Sequence, residues 1–120
     1  MNKKRILIID DEPSLTRLVK WNLEATGKYK VREENLAEHA LAAAREFKPE
    51  LVLLDVMMPG KDGGDVASQL QAAPELKGVP IVFLTAAVKK DEQGVHGGFP
   101  YLAKPVDLEE LKACLEHNLK

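Results

Sequence analysis

Short unbroken apolar runs alternate along this chain with segments whose apolar residues recur at helical spacing. Ile6-Leu7-Ile8-Ile9 is continuous, rich in β-branched residues and bounded by charge. That pattern predicts a strand buried on both faces. From Pro13 onward, Leu15, Leu18, Val19 and Leu23 share one helical face, Trp21 falls off it, and Gly27 stops the helix. Tyr29 to Arg32 predicts a second, weaker strand, and the alanine-rich stretch Ala37 to Phe47 a helix closed by Pro49. Leu51-Val52-Leu53-Leu54 repeats the buried-strand pattern. Pro59 to Gly63 has loop composition, Asp65 to Ala73 is compatible with a helix, and Val79 to Leu84 is a third apolar run with Pro80 near its start. Pro100 to Ala103 predicts a short strand. Asp107 then reads as the N-cap of a last helix with Leu108, Leu111 and Leu115 on one face.

Strands alternating with helices of this length predict an α/β domain with a five-stranded, doubly wound parallel sheet and helices on both faces. In such sheets, ligands sit beyond the carboxyl ends of the strands. The first apolar run ends in Asp10-Asp11, the second in Asp55, the third in Thr85 and the short last strand in Lys104-Pro105. All of these are expected at one rim of the sheet, where three carboxylates, a hydroxyl and an ammonium would converge.

Like charges about 4 Å apart in a protein-like dielectric repel by about 4 kcal/mol, so clustered carboxylates call for a cation. The donors are all oxygens, which favours Mg²⁺ or Mn²⁺ over zinc. Asp55 is central by position and is the natural nucleophile, since a carboxylate can attack phosphorus to give an acyl phosphate. A cation and Lys104 would each neutralise a phosphoryl oxygen, and the Thr85 hydroxyl could donate to a third.

Composition narrows the partners. The 120 residues suit one domain, residues 1–120, and 45% hydrophobic with 30% charged residues is ordinary for a globular chain. A net charge of -2 gives no reason to expect nucleic acid or an anionic membrane as the main partner. The single cysteine, Cys114, permits no internal disulfide and suits a reducing, cytoplasmic location. The apolar run after the basic N-terminus is too short for a signal peptide, which needs about 7–15 residues. His39, His96 and His117 lack ligand spacing and are expected at the surface, as are Asp62 and Asp65.

The segments Ile8-Ile9-Asp10-Asp11-Glu12-Pro13, Asp55-Val56-Met57-Met58-Pro59-Gly60-Lys61-Asp62-Gly63, Leu84-Thr85-Ala86 and Tyr101-Leu102-Ala103-Lys104-Pro105, in that order, resemble the signature blocks of bacterial response-regulator receiver domains. The resemblance implies that Asp55 is the phospho-acceptor and a ligand of Mg²⁺. Asp11 matches the direct carboxylate ligand, with Asp10 assisting through water, and Met57 supplies a backbone carbonyl. Thr85 and Lys104 match the switch hydroxyl and the phosphate-binding lysine. Tyr101 matches an aromatic that changes rotamer on activation, and Lys104-Pro105 a cis peptide. The implied donor is a sensor histidine kinase or a histidine phosphotransfer protein. The implied target is an output domain or a downstream protein. Such a domain catalyses its own modification and is not a turnover enzyme.

The pattern departs between Ala86 and Pro100, which is shorter than its usual counterpart and carries Gly94, Gly97, Gly98 and Pro100. A stunted or irregular fourth helix is expected there. Ala87 and Met57 lie where side chains could gate attacking water. Three other readings compete. A phosphatase of the haloacid dehalogenase type needs a second Asp two residues after the nucleophile, where this chain has Met57. A flavin- or nucleotide-binding module needs a glycine-rich turn after the first strand, where this chain has Asp10-Asp11-Glu12-Pro13. A pseudo-receiver would keep the fold as an interaction scaffold without taking phosphate.

Overall fold

The computed structural model describes residues 3–86, 95–96 and 99–119. Its sheet has five parallel strands: β1 (Lys4–Ile9), β2 (Tyr29–Glu34), β3 (Leu51–Asp55), β4 (Ile81–Thr85) and β5 (Phe99–Ala103). They lie in the order β2-β1-β3-β4-β5. A two-residue strand, Val95–His96, runs antiparallel to β5 at the edge. The helices are α1 (Pro13–Ala25), α2 (Ala40–Phe47), α3 (Gly63–Ala72) and α4 (Leu108–Asn118).

Strand alternation divides the apolar residues between two cores. Ile6, Ile8, Leu51, Leu53, Val82 and Leu84 pack with Val19 and Leu23 of α1 and Leu111 and Leu115 of α4. Leu7, Ile9, Val52, Leu54, Ile81 and Phe83 pack on the other face with the alanines of α2 and with Val66, Ala67 and Leu70 of α3. The runs Ile6–Ile9 of β1, Leu51–Leu54 of β3 and Ile81–Leu84 of β4 are therefore apolar without a break, because each faces a helix layer on both sides.

Several local expectations shift. The buried stripe of α1 is Thr16, Val19 and Leu23, with Leu15 partly buried, whereas Leu18 is 49% exposed and Trp21 66%. Leu18 lies two residues beyond Thr16, about 200° around the helix, and so faces water. β2 continues to Glu34 because its register pairs Ile9 with Glu34, whatever the side-chain pattern. The expected helix from Ala37 opens as a 3₁₀ turn, Ala37–His39, before α2 begins. The loop after Asp55 contains a small antiparallel ribbon, Met57–Met58 with Lys61–Asp62. Asp62 does more than meet solvent: its side chain caps α3 by accepting from the Gly64 amide at 2.7 Å. The expected irregular helix, and Ala87 with it, falls largely on residues 87–94, outside the described residues.

Asp107 caps α4 as expected, accepting from the amides of Glu109 at 2.8 Å and Glu110 at 3.1 Å. Asp107→Ala is expected to lower stability by about 1 kcal/mol, measurable by urea unfolding.

Candidate functional site

Parallel register brings the strand ends together. The Asp10 amide donates to the Glu34 carbonyl at 3.0 Å, the Val56 amide to the Leu84 carbonyl at 3.0 Å and the Lys104 amide to the Thr85 carbonyl at 2.9 Å. The ladder therefore extends one residue past β1, β3 and β5, and it seats Lys104 against Thr85. The Lys104-Pro105 peptide is cis.

Asp10 and Asp55 are buried, at 0% and 4% exposure, while Asp11 is exposed. Each offers an oxygen lying within 4.8 Å of the others. The Lys104 ammonium sits 2.8 Å from Oδ2 of Asp10, 3.2 Å from Oε1 of Glu12 and 3.5 Å from Oδ2 of Asp55. Three carboxylates thus share one ammonium. Oδ1 of Asp55 accepts from the Met57 amide at 3.3 Å, and Oδ1 of Asp10 from the Glu12 amide at 2.9 Å. Oδ2 of Asp10 has the Lys104 charge beside it but no aligned hydrogen bond.

The electrostatics follow from burial. Desolvation, reinforced by the charge of Asp10, pushes the Asp55 carboxyl up to about 6, against the opposing pull of Lys104 and the Met57 amide. Burial likewise raises Asp10, despite Lys104. For Lys104, desolvation acts to lower the pKa, but the carboxylates of Asp10, Asp55 and Glu12 outweigh it and hold the ammonium above its usual range.

The residues present fit a small hard cation. The donors are oxygens, the negative charge exceeds the positive, and a buried carboxylate oxygen on Asp10 lacks an aligned donor. Next to this cluster, a groove of about 400 Å³ is lined by Asp11, Asn35, Leu36, Met58 and Pro59 among others.

Of the residues singled out in the sequence, Asp10, Asp11, Asp55 and Lys104 meet directly. Thr85 is buried at the end of β4. Met57 turns its side chain to solvent, 71% exposed, while its amide binds Asp55. Tyr101 is buried at 8% exposure, paired in register with Phe83 in the core of the α2–α3 face. His39 and His117 are exposed, as expected, and Cys114 is half-buried. Sequence reasoning missed Glu12 as a partner of Lys104, although its place directly after Asp10-Asp11 was a signal. It also missed Thr16 and Asn35, which carried none.

Fold and pocket define a flavodoxin-like α/β domain whose strand ends build an acidic site beside a lysine. The chain belongs to the response regulator receiver domain family, whose model matches residues 6–116. It is 41% identical over 126 residues to the alkaline phosphatase synthesis transcriptional regulatory protein PhoP of Bacillus subtilis, covering 100% of this chain and 50% of that protein. It is 38% identical over 119 residues to the DNA-binding dual master transcriptional regulator RpaA of Synechocystis, covering 97% of this chain and 49% of that protein. The chain thus spans about half the length of these curated relatives. The fold matches the chemotaxis protein CheY4 of Vibrio cholerae with a TM-score of 0.86 at 25% identity, covering 98% of this chain and 100% of that one. Among the described residues, no helix is long and apolar enough to cross a membrane.

Proposed function

We propose that this receiver domain is a phosphoacceptor switch in which Asp55 takes a phosphoryl group, with Mg²⁺ or Mn²⁺ bound, from a sensor histidine kinase or a histidine phosphotransfer protein. The observation that carries this reading is the convergence of Asp10, Asp11 and Asp55 on one point beside Lys104. An Asp55 oxygen forms the new bond to phosphorus as the phosphorus–nitrogen bond to the donor histidine breaks, and the electron pair leaves with the imidazole. The carboxylates of Asp10, Asp11 and Asp55, with the Met57 carbonyl, would hold the cation. Its contribution would be to neutralise phosphoryl oxygens during an otherwise positional reaction.

Lys104 has two roles in this reading. In the metal-free chain it neutralises Asp10, Glu12 and Asp55. With a cation held by the acids, Lys104 would be free to pair with the phosphoryl group, joined by the Thr85 hydroxyl. That rearrangement pulls on the end of β4 and on the backbone bond between Lys104 and Thr85. The population then shifts toward a state in which the surface around Tyr101 is repacked. The domain modifies itself once per signal and is not a turnover enzyme. Its target is an output domain or a downstream protein, and the balanced net charge of -2 gives no reason to expect direct nucleic-acid binding by this domain. A cytoplasmic setting suits a kinase partner and the lone Cys114.

The test is intact mass after incubation with acetyl phosphate. A gain of one phosphoryl group with Mg²⁺, absent with chelator, is expected. No gain, together with no response of the site amides to beryllofluoride and Mg²⁺, would sink the reading and leave the interaction scaffold.

A further inference from the structure

Behind the acids lies a polar layer that the phosphoryl chemistry does not use. Thr16 of α1 is fully buried. Its hydroxyl donates to Oε1 of Glu33 at 2.7 Å and lies 3.1 Å from the Pro13 carbonyl. Nδ2 of Asn35, just beyond β2, donates one proton to the Thr16 hydroxyl at 3.1 Å and the other to the Asp10 carbonyl at 2.8 Å. An amide nitrogen has two protons, so Asn35 uses both in joining α1 to the end of β1. The Asp10 amide donates to the Glu34 carbonyl, so both backbone polar groups of Asp10 are held from the end of β2.

The consequence reaches Asp11 through the peptide plane. The Asp10 carbonyl, the Asp11 amide and the Asp11 Cα share one rigid plane. Fixing that carbonyl fixes the direction in which the chain enters Asp11. Asp11 itself is exposed, with a carboxylate oxygen within 4.8 Å of those of Asp10 and Asp55. We propose that Asn35 is a positioning residue for the cation site: by clamping the Asp10–Asp11 peptide between β2 and α1 it aims the Asp11 carboxylate at Asp10 and Asp55. This rests on the reading that these acids hold a divalent cation. Groups that orient a ligand without touching the ion typically change metal affinity by about 10–100-fold when removed.

The test uses the full chain with Asn35→Leu, Thr16→Val and Thr16→Ser. Two quantities are read: the Mg²⁺ dissociation constant by calorimetry with the metal alone, and amide hydrogen exchange in the metal-free protein. Asn35→Leu is expected to weaken Mg²⁺ binding at least about tenfold. It should also deprotect the Glu12 amide, which binds the Asp10 carboxylate, while Leu53 in the central strand keeps its protection. Thr16→Val should follow in the same direction more weakly, and Thr16→Ser should restore native values. If Asn35→Leu does not fold, the two Thr16 variants carry the decision. Unchanged Mg²⁺ affinity in the folded variants overturns the proposal, as does loss of protection that spreads equally to Leu53. No Mg²⁺ binding by the native chain overturns the cation reading and this proposal together. Native binding with unaffected variants overturns this proposal alone.

Discussion

Asp55→Asn is expected to take up no phosphoryl group from acetyl phosphate and Mg²⁺, and to melt higher than the native chain at neutral pH without divalent cations. The first effect follows because an amide lacks the nucleophilic oxygen that becomes the acyl phosphate. The second follows from where the carboxylate sits. Burial and the charge of Asp10 raise Asp55 from 3.8 to about 6 in the folded chain. The folded state therefore holds this proton more tightly than the unfolded state does. Stability from the group is fully present below pH about 4 and is lost as the pH rises through about 6. At neutral pH the ionised side chain costs the metal-free fold at most about 3 kcal/mol, at about 1.4 kcal/mol per pKa unit. Asparagine keeps the shape and removes the charge. Thermal melts in chelator should favour the variant at neutral pH by several degrees and converge near pH 4. Added Mg²⁺ should stabilise the native chain more than the variant. A native chain that melts higher than the variant at neutral pH in chelator would contradict this account of the site.

Gly63→Ala should be the most damaging small substitution near the site, costing about 3 kcal/mol or more. The first residue of α3 lies against the end of β3. A Cβ on Gly63 would meet the Asp55 carbonyl oxygen at 2.5 Å, the Val56 Cα at 2.7 Å and the Val56 carbonyl oxygen at 2.9 Å. These are all backbone atoms and cannot swing aside as a side chain would. The Gly63 amide also donates to the Val56 carbonyl at 2.8 Å, so the close approach is part of the connection. Overpacking of this kind typically costs about 1–3 kcal/mol, and rigid neighbours push it to the upper end and beyond. The strain falls on Asp55 itself, so phosphoryl uptake should slow as well. Gly64→Ala is the control. Its Cβ would meet only the Asp62 side chain, at 3.4 Å, and alanine favours the helix, so stability should hold or rise slightly. Equal unfolding midpoints in urea for both variants would refute the argument.

The parts of the fold that were legible in the sequence are those where one short segment meets a uniform environment. β1, β3 and β4 are sandwiched between helix layers, so their continuous apolar runs announced both the strands and the parallel sheet. The acids at the ends of β1 and β3, Thr85 at the end of β4 and Lys104 just past β5 could then be assigned to one rim, because parallel strands all end on the same side. The N-cap at Asp107 was legible for a similar reason: its partners, Glu109 and Glu110, are its sequence neighbours.

What remained hidden depends on contacts between residues far apart in the chain. Helical spacing of apolar residues counted Leu18 into the buried face of α1, but the packing of that helix buries Thr16 instead, whose hydroxyl is satisfied across the layer by Glu33 and Asn35. Nothing local distinguishes Asn35 from any polar residue after a strand; its meaning comes from reaching the Asp10 carbonyl across the ladder. The ammonium of Lys104 meets Glu12, 92 residues away in sequence. Alternation and strand-end chemistry, which are local, settled the sheet and the identity of the acids, the hydroxyl and the lysine. The aim of those acids, their raised protonation and the glycine that admits α3 beside Asp55 were decided only by tertiary structure, because burial and close approach are properties of segments brought together by folding.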